Sequence, residues 1–157
     1  VLDAQVLLMR RYLGGFGPAT RAEIANWAGL PVRSVAAALN RIDHVTYAAE
    51  DGSTLVDLPD APLPDPASPV PVRFLPTWDA TLLVHARRAR ILPEAYRPKV
   101  FNTKTPHSVP TFLVARSAAG ACRYGAGRVE LTEFDPLSRR VRREAEQAAD
   151  ALAAFHR

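Results

Sequence analysis

Apolar residues recur at helical intervals from the start of the chain. Leu2, Val6, Met9 and Leu13 share one face of a helix over residues 2–13, with Arg10 and Arg11 turned away. Gly14-Gly15-Phe16-Gly17-Pro18 is expected to end that helix. Thr20 with Glu23 three residues later forms a capping box, each side chain accepting from the other's backbone N–H. The second helix carries Ile24, Trp27 and Ala28 inward and stops at the turn Gly29-Leu30-Pro31. A third helix over 32–42 buries Val32, Val35, Ala36, Leu39 and Ile42, which completes a helix-turn-helix unit. Two β-rich runs, 44–49 and 53–58, flank Glu50-Asp51-Gly52, and Asp-Gly between such runs signals a hairpin. Residues 1–58 thus read as a winged helix-turn-helix.

Seven prolines between residues 59 and 76 exclude helix and central strand, leaving an extended connector of polyproline character. Val70, Val72, Phe74 and Leu75 give it apolar surface to bury, so ordered docking is expected. In residues 77–157, Asp79 caps a helix running to about Leu92, where Pro93 stops it. Strands follow at 111–114, 121–124 and 128–133, with turn-like separators at 117–120 and 125–127. Pro136 opens a closing helix to Phe155 with Leu137, Val141, Ala145, Ala148, Ala149, Leu152 and Phe155 on one face. The fold class is α+β: a winged helix-turn-helix, then a helix, a small antiparallel sheet or partial barrel, and a C-terminal helix.

Composition adds a few bounds. With 157 residues, 48% apolar and 23% charged, the chain lies in the ordinary globular range. The lone Cys122 cannot form an intrachain disulfide. No apolar run approaches the ~18 residues of a membrane span, and the N-terminus lacks a secretory pattern, so the expected compartment is the cytosol, with no membrane partner. The first residue is Val, already within an amphipathic helix, so a portion of a longer protein is expected ahead of a trimmed complete one.

Charge then changes the picture. In a helix-turn-helix the second helix of the pair lies in the major groove. Here it would present Arg33, Ser34, Ala37, Asn40 and Arg41, and Arg33 and Asn40 suit guanine and adenine edges. Yet residues 1–58 hold five arginines against six acids, with Glu50 and Asp51 at the hairpin tip. A structural module packing on a neighbouring domain is therefore an equal reading of this unit. The positive charge is concentrated in residues 85–104, where Arg87, Arg88, Arg90, Arg97, Lys99 and Lys104 face only Glu94. On the expected helix Arg87 and Arg90 share a face, while Arg88 lies about 100° away. Tyr96 and Phe101 interleave with these cations, as in surfaces that hold phosphate and pack bases or sugars. The competing reading is a solvated basic surface or one paired with the acids of the winged helix. Arg139, Arg140, Arg142 and Arg143 precede Glu144, Glu146 and Asp150, so Arg140–Glu144 and Arg142–Glu146 are expected as surface pairs without function.

No catalytic signature is present. The chain lacks CxxC, HExxH, GxSxG and a phosphate-binding glycine loop, and its four histidines and Cys122 lack metal-ligand spacing. Asp79 and His85 would sit about 240° apart on a helix, too far round to share a ligand. Cys122 reads as a small core residue of the sheet. No metal, cofactor or self-contained active site is expected.

Four stretches nevertheless resemble AlkZ-type DNA glycosylases: RRYLGGFGPATRAEIANWAGL (10–30), LVDLPDAPLP (55–64), VRFLPTWDATLLVHARRARI (72–91) and VELTEFDPLSRRVRREAEQAADALAAFH (129–156). That resemblance implies tandem winged helices followed by a small β-barrel, with double-stranded DNA held in a basic channel. It also implies removal of damaged bases by a Gln-apolar-Gln/Asp motif in an upstream winged helix. Asp3-Ala4-Gln5 is superficially similar to that motif but stands in the helix leading to the RRYL stretch, the wrong place for it. Ala115-Arg116 and Cys122 occupy positions where the family tends to have Asp-Gly and Trp. The function implied is backbone gripping by part of a repair glycosylase, inactive alone, with an upstream winged-helix domain of the same parent as a further partner. A winged-helix transcriptional regulator and a protein-interaction module are the alternatives.

Overall fold

The computed structural model describes residues 1–84, 89–102, 104 and 107–156. Residues 1–66 with Val84 form one compact unit, and 67–83 with the described residues from 89 onward form another.

The first unit contains α1 (Leu2–Phe16), α2 (Arg21–Ala28), α3 (Val32–Leu39), β1 (Val45–Ala48) and β2 (Thr54–Asp57). Helix α1 runs a turn beyond its expected end, through Gly14 and Gly15, because Phe16 still has packing partners. Its ring lies 5.7 Å from Tyr12 and 6.4 Å from Trp27. Gly17 ends the helix where the chain meets the hairpin: a Cβ there would lie 2.1 Å from Oδ1 of Asp57. The capping box of α2 forms as expected, with Thr20 Oγ1 accepting from Glu23 N–H at 3.1 Å and Glu23 Oε2 from Thr20 N–H at 2.8 Å. Gly29 closes α2 in the left-handed region at φ 63°.

Strands β1 and β2 are antiparallel, Val45 opposite Asp57 and Ala48 opposite Thr54. Gly52, at φ 80°, makes the reversal, and Asp51 accepts from Ser53 N–H. Ala19 and Val56 exchange backbone hydrogen bonds of 3.0 and 2.8 Å, tying the α1–α2 link to the hairpin. Three helices and a hairpin so joined have the winged-helix arrangement. Met9, Leu13, Ile24, Val35, Leu39 and Ile42 fill its core, with Tyr12, Ala19, Ala25, Ala38, Val56 and Val84 as additions to the expected set. Three expected core positions are exposed. Leu2 and Val32 open their helices, before the chain is enclosed, and Trp27 lies at the core's edge against Tyr12, its ring 4.8 Å away.

The second unit contains β3 (Arg73–Leu75), α4 (Ala80–Leu83), α5 (Arg97–Val100), β4 (Phe101–Asn102), β5 (His107–Ser108), β6 (Thr111–Val114), β7 (Ser117–Gly125), β8 (Arg128–Glu133) and α6 (Arg139–Phe155). An open antiparallel sheet runs β3-β6-β7-β8, and β4 pairs separately with β5. Strand β3 comes from the proline-rich stretch, at the sheet edge where a neighbouring proline costs no ladder bond. Val72 and Phe74 do dock into the core, but Val70 is exposed. Along β6, Phe112 packs on the α6 side with Val72 and Ala145, and Leu113 packs on the other side with Leu82, Leu92 and Val100. Burial on both faces is why this strand reads as a continuous apolar run.

Three expectations need correction. Of the helix predicted for 79–92, the described residues form only the single turn of α4, capped by Asp79 Oδ1 accepting from Thr81 N–H at 2.8 Å. Beyond it, Val84 enters the first unit's core, while Ile91 O accepts from Ala118 N–H at 2.7 Å and so runs beside β7. Residues 117–120 are strand, not separator; the reversal is made by Ala115 and Arg116 at φ 48° and 68°. Helix α6 starts at Arg139, with Ser138 as its cap. It buries Ala145, Ala149 and Ala153, and leaves Phe155 85% exposed.

Candidate nucleic-acid interface

Arg33 and Asn40 belong to the first unit. Both are exposed, Arg33 in the opening turn of α3 and Asn40 at its C-cap, two helical turns along. Arg41, also expected there, is taken by Asp3 of α1 at 2.7 Å.

The basic segment lies in the second unit. Arg87 and Arg88 lie outside the described residues. Arg90 is exposed in a turn, not on a helix, so the helical-face relation expected for it does not hold. Arg97 and Lys99 both lie on α5, and Lys104 is exposed beyond β4. Arg97 stacks its guanidinium over Phe101, 5.6 Å from the ring centroid. Stacking uses the flat face of the group and leaves its edge N–H donors for a phosphate.

Lys99 is held more firmly. Its ammonium lies 5.1 Å from the Tyr96 centroid and 5.4 Å from that of Phe134, and donates to Phe134 O at 2.9 Å. One of its three donors is thereby engaged. Tyr96 is fixed in turn by its hydroxyl, which donates to Asp135; this bond holds the phenol's pKa above its ordinary value. Among the described residues, neither Arg97 nor Lys99 forms an ion pair with a carboxylate.

Four arginines of the sheet and the last helix are paired. Arg123 and Arg128 both bind Glu130, at 2.6 and 2.7 Å, and Arg140 binds Glu144 at 2.6 Å as its spacing predicts. Arg142 crosses to Glu133 on β8 with two bonds of 2.6 and 2.9 Å instead of pairing with Glu146, its i+4 neighbour. The two donors match a carboxylate's two oxygens, a geometry a flexible surface pair lacks. Cys122 is half-buried on β7, and burial pushes its thiol up to about 11. Among the described residues no cluster of His, Cys, Asp or Glu could hold a metal ion, and no helix is long and apolar enough to cross a membrane.

The sequence reading missed Trp78. It is half exposed, at φ 59°, beside Phe101 at a centroid distance of 6.3 Å. Standing alone in a loop, it has no periodicity that would mark it.

These features define an α+β protein with a unit of three helices and a hairpin, and a second unit in which an open antiparallel sheet is accompanied by a short helix carrying two cations. The family model for AlkZ-like DNA glycosylases matches residues 3–155, and the chain belongs to that family. Among solved structures, the Streptomyces sahachiroi DNA glycosylase AlkZ shares the fold, with a TM-score of 0.75 at 19% identity. The match covers 98% of this chain and 44% of that one, so the present chain spans less than half the glycosylase's length. No curated protein matches the sequence.

Proposed function

We propose that this chain grips the backbone of double-stranded DNA as part of a base-excising repair protein, while the chemistry of excision is supplied by residues beyond it. The observation that carries this reading is the state of the cations on α5. In a family of DNA glycosylases, Arg97 and the exposed Lys99 are set against the rings of Phe101, Tyr96 and Phe134, and Lys99 keeps two donors to spare. Cations without a carboxylate partner are what neutralise phosphates and release counterions. Arg33 and Asn40, both exposed, would add contacts from α3. The acidic hairpin tip at Glu50 and Asp51 argues against the first unit as a solitary binder.

Affinity for duplex DNA, measured across a range of salt, tests the proposal. Log affinity should fall linearly with log salt. The slope should shrink by about one for each phosphate deprived of its cation by Arg97→Ala, Lys99→Gln and Lys104→Ala. Binding that ignores salt, or a triple variant that folds and binds as tightly as the parent chain, would overturn it. Incubated with alkylated duplex, the chain alone should bind and release no base.

A further inference from the structure

We infer that Trp78, backed by Phe101 and Arg97, is a stacking platform for an unpaired nucleic-acid base. The inference rests on the DNA reading above and adds a ligand that backbone contacts do not provide for.

Trp78 adopts a left-handed backbone conformation, φ 59°, that a bulky residue reaches only at a cost. The structure around it maintains that conformation. Its N–H donates at 2.7 Å to Oγ of Ser108, a side chain almost fully buried on β5. Ser108 is the cross-strand partner of Phe101 on β4, so one short ribbon fixes both aromatic residues. Phe101 is also the cap residue of α5, its N–H bonded to Arg97 O, which sets the Arg97 side chain one turn away over the ring. Trp78 is thus pinned by its backbone while 49% of its surface faces solvent.

An indole held open in this way, at an energetic cost, is poorly explained by packing. A π-face flanked by a second ring and a stacked guanidinium suits a nucleobase, which any aromatic face accepts without regard to sequence. Thr77, Asn102 and His107, beside these residues in the chain, are polar and exposed, so the rings emerge from a polar surface. In a paired duplex the bases stack on one another, so the platform's ligand is a base that has left the stack.

Trp27→Phe leaves Trp78 as the sole indole reporter. Its fluorescence should be quenched by short oligothymidylate and by a duplex bearing one unpaired thymine. Neither the same duplex with an abasic residue at the bulge nor the fully paired duplex should quench it. Trp78→Ala should lose about tenfold in affinity for the two base-bearing probes, the lower range of one base–aromatic stack. It should stay within about twofold of the parent chain on paired duplex, and Trp78→Phe should restore most of the loss. Equal losses on thymine and abasic bulges, or no loss on any nucleic acid, would overturn the inference, the second outcome leaving a protein contact for Trp78. Failure of the duplex reading would look different: salt-dependent binding to paired DNA would be missing whatever residue 78 is.

Discussion

At Gly120 a Cβ would lie 2.3 Å from Cε1 of Phe112 and 2.4 Å from the backbone oxygen of Thr132. The phenyl ring is fully buried and the carbonyl belongs to the neighbouring strand, so neither can retreat cheaply. Gly120→Ala should therefore lower stability by about 1–3 kcal/mol, the usual cost of overpacking a core, measured by urea denaturation. A loss below ~0.5 kcal/mol would mean that β8 shifts easily. Glu133 makes a second prediction at this scale. The Arg142 guanidinium and the N–H of Leu137 hold its carboxyl at about 2, below the ordinary 4.5. A carboxyl depressed on folding stabilises the fold above its ordinary pKa, and loses that contribution as pH falls towards the folded value. Glu133→Gln should thus melt below the parent chain near pH 7, with the gap closing between about pH 4.5 and 2. A gap that does not change with pH would remove the ion pair as its cause.

Among the elements, the tight turns are where chemistry and geometry disagree. Ala115 and Arg116 both sit at positive φ in the two-residue link between β6 and β7, a conformation that favours Asn-Gly or Asp-Gly. Ala115→Asn with Arg116→Gly should raise stability by roughly 1 kcal/mol by removing that strain, read as a higher urea midpoint at unchanged slope. The same turn shows why parts of the fold were hidden. Nothing in Ala-Arg announces a reversal, whereas Gly120, one of the usual turn residues, serves inside a strand as space for Phe112. Elements with their own local signature were legible: the Thr20/Glu23 capping box, the Asp51-Gly52 reversal, and strand β8 over Arg128–Glu133. The single turn of α4 was not, because periodicity in residues 79–92 serves two separate cores. Of the candidate site, the cations were visible as a cluster in the sequence. Which of them are already paired depends on partners distant in the chain, such as Phe134 for Lys99 and Glu133 for Arg142. Trp78 depends on Ser108, thirty residues away.

Across the molecule, charge and packing follow different divisions. The first unit is slightly acidic to residue 58, and the second carries the α5 cations, so a salt-dependent partner is expected to be held chiefly by the latter. Packing ignores this boundary at Val84, which lies 5% exposed in the first unit's core although Leu82 belongs to the second unit's core. The polypeptide therefore leaves the first unit and returns to it at Val84 before entering the second again. Each unit holds one of the two tryptophans, Trp27 and Trp78, so single-tryptophan variants report on the units separately. Val84→Ala should cost about 1–3 kcal/mol and shift the Trp27 transition. An unshifted Trp27 transition would show that this side chain does not stabilise the first core. The return has a practical meaning for anyone cutting the molecule apart. Cleaved after Pro66, the amino-terminal piece would carry an apolar socket with its stopper left on the other fragment. Such a piece would expose oily surface, cling to its own kind, and be a poor guide to how the unit behaves in the uncut protein.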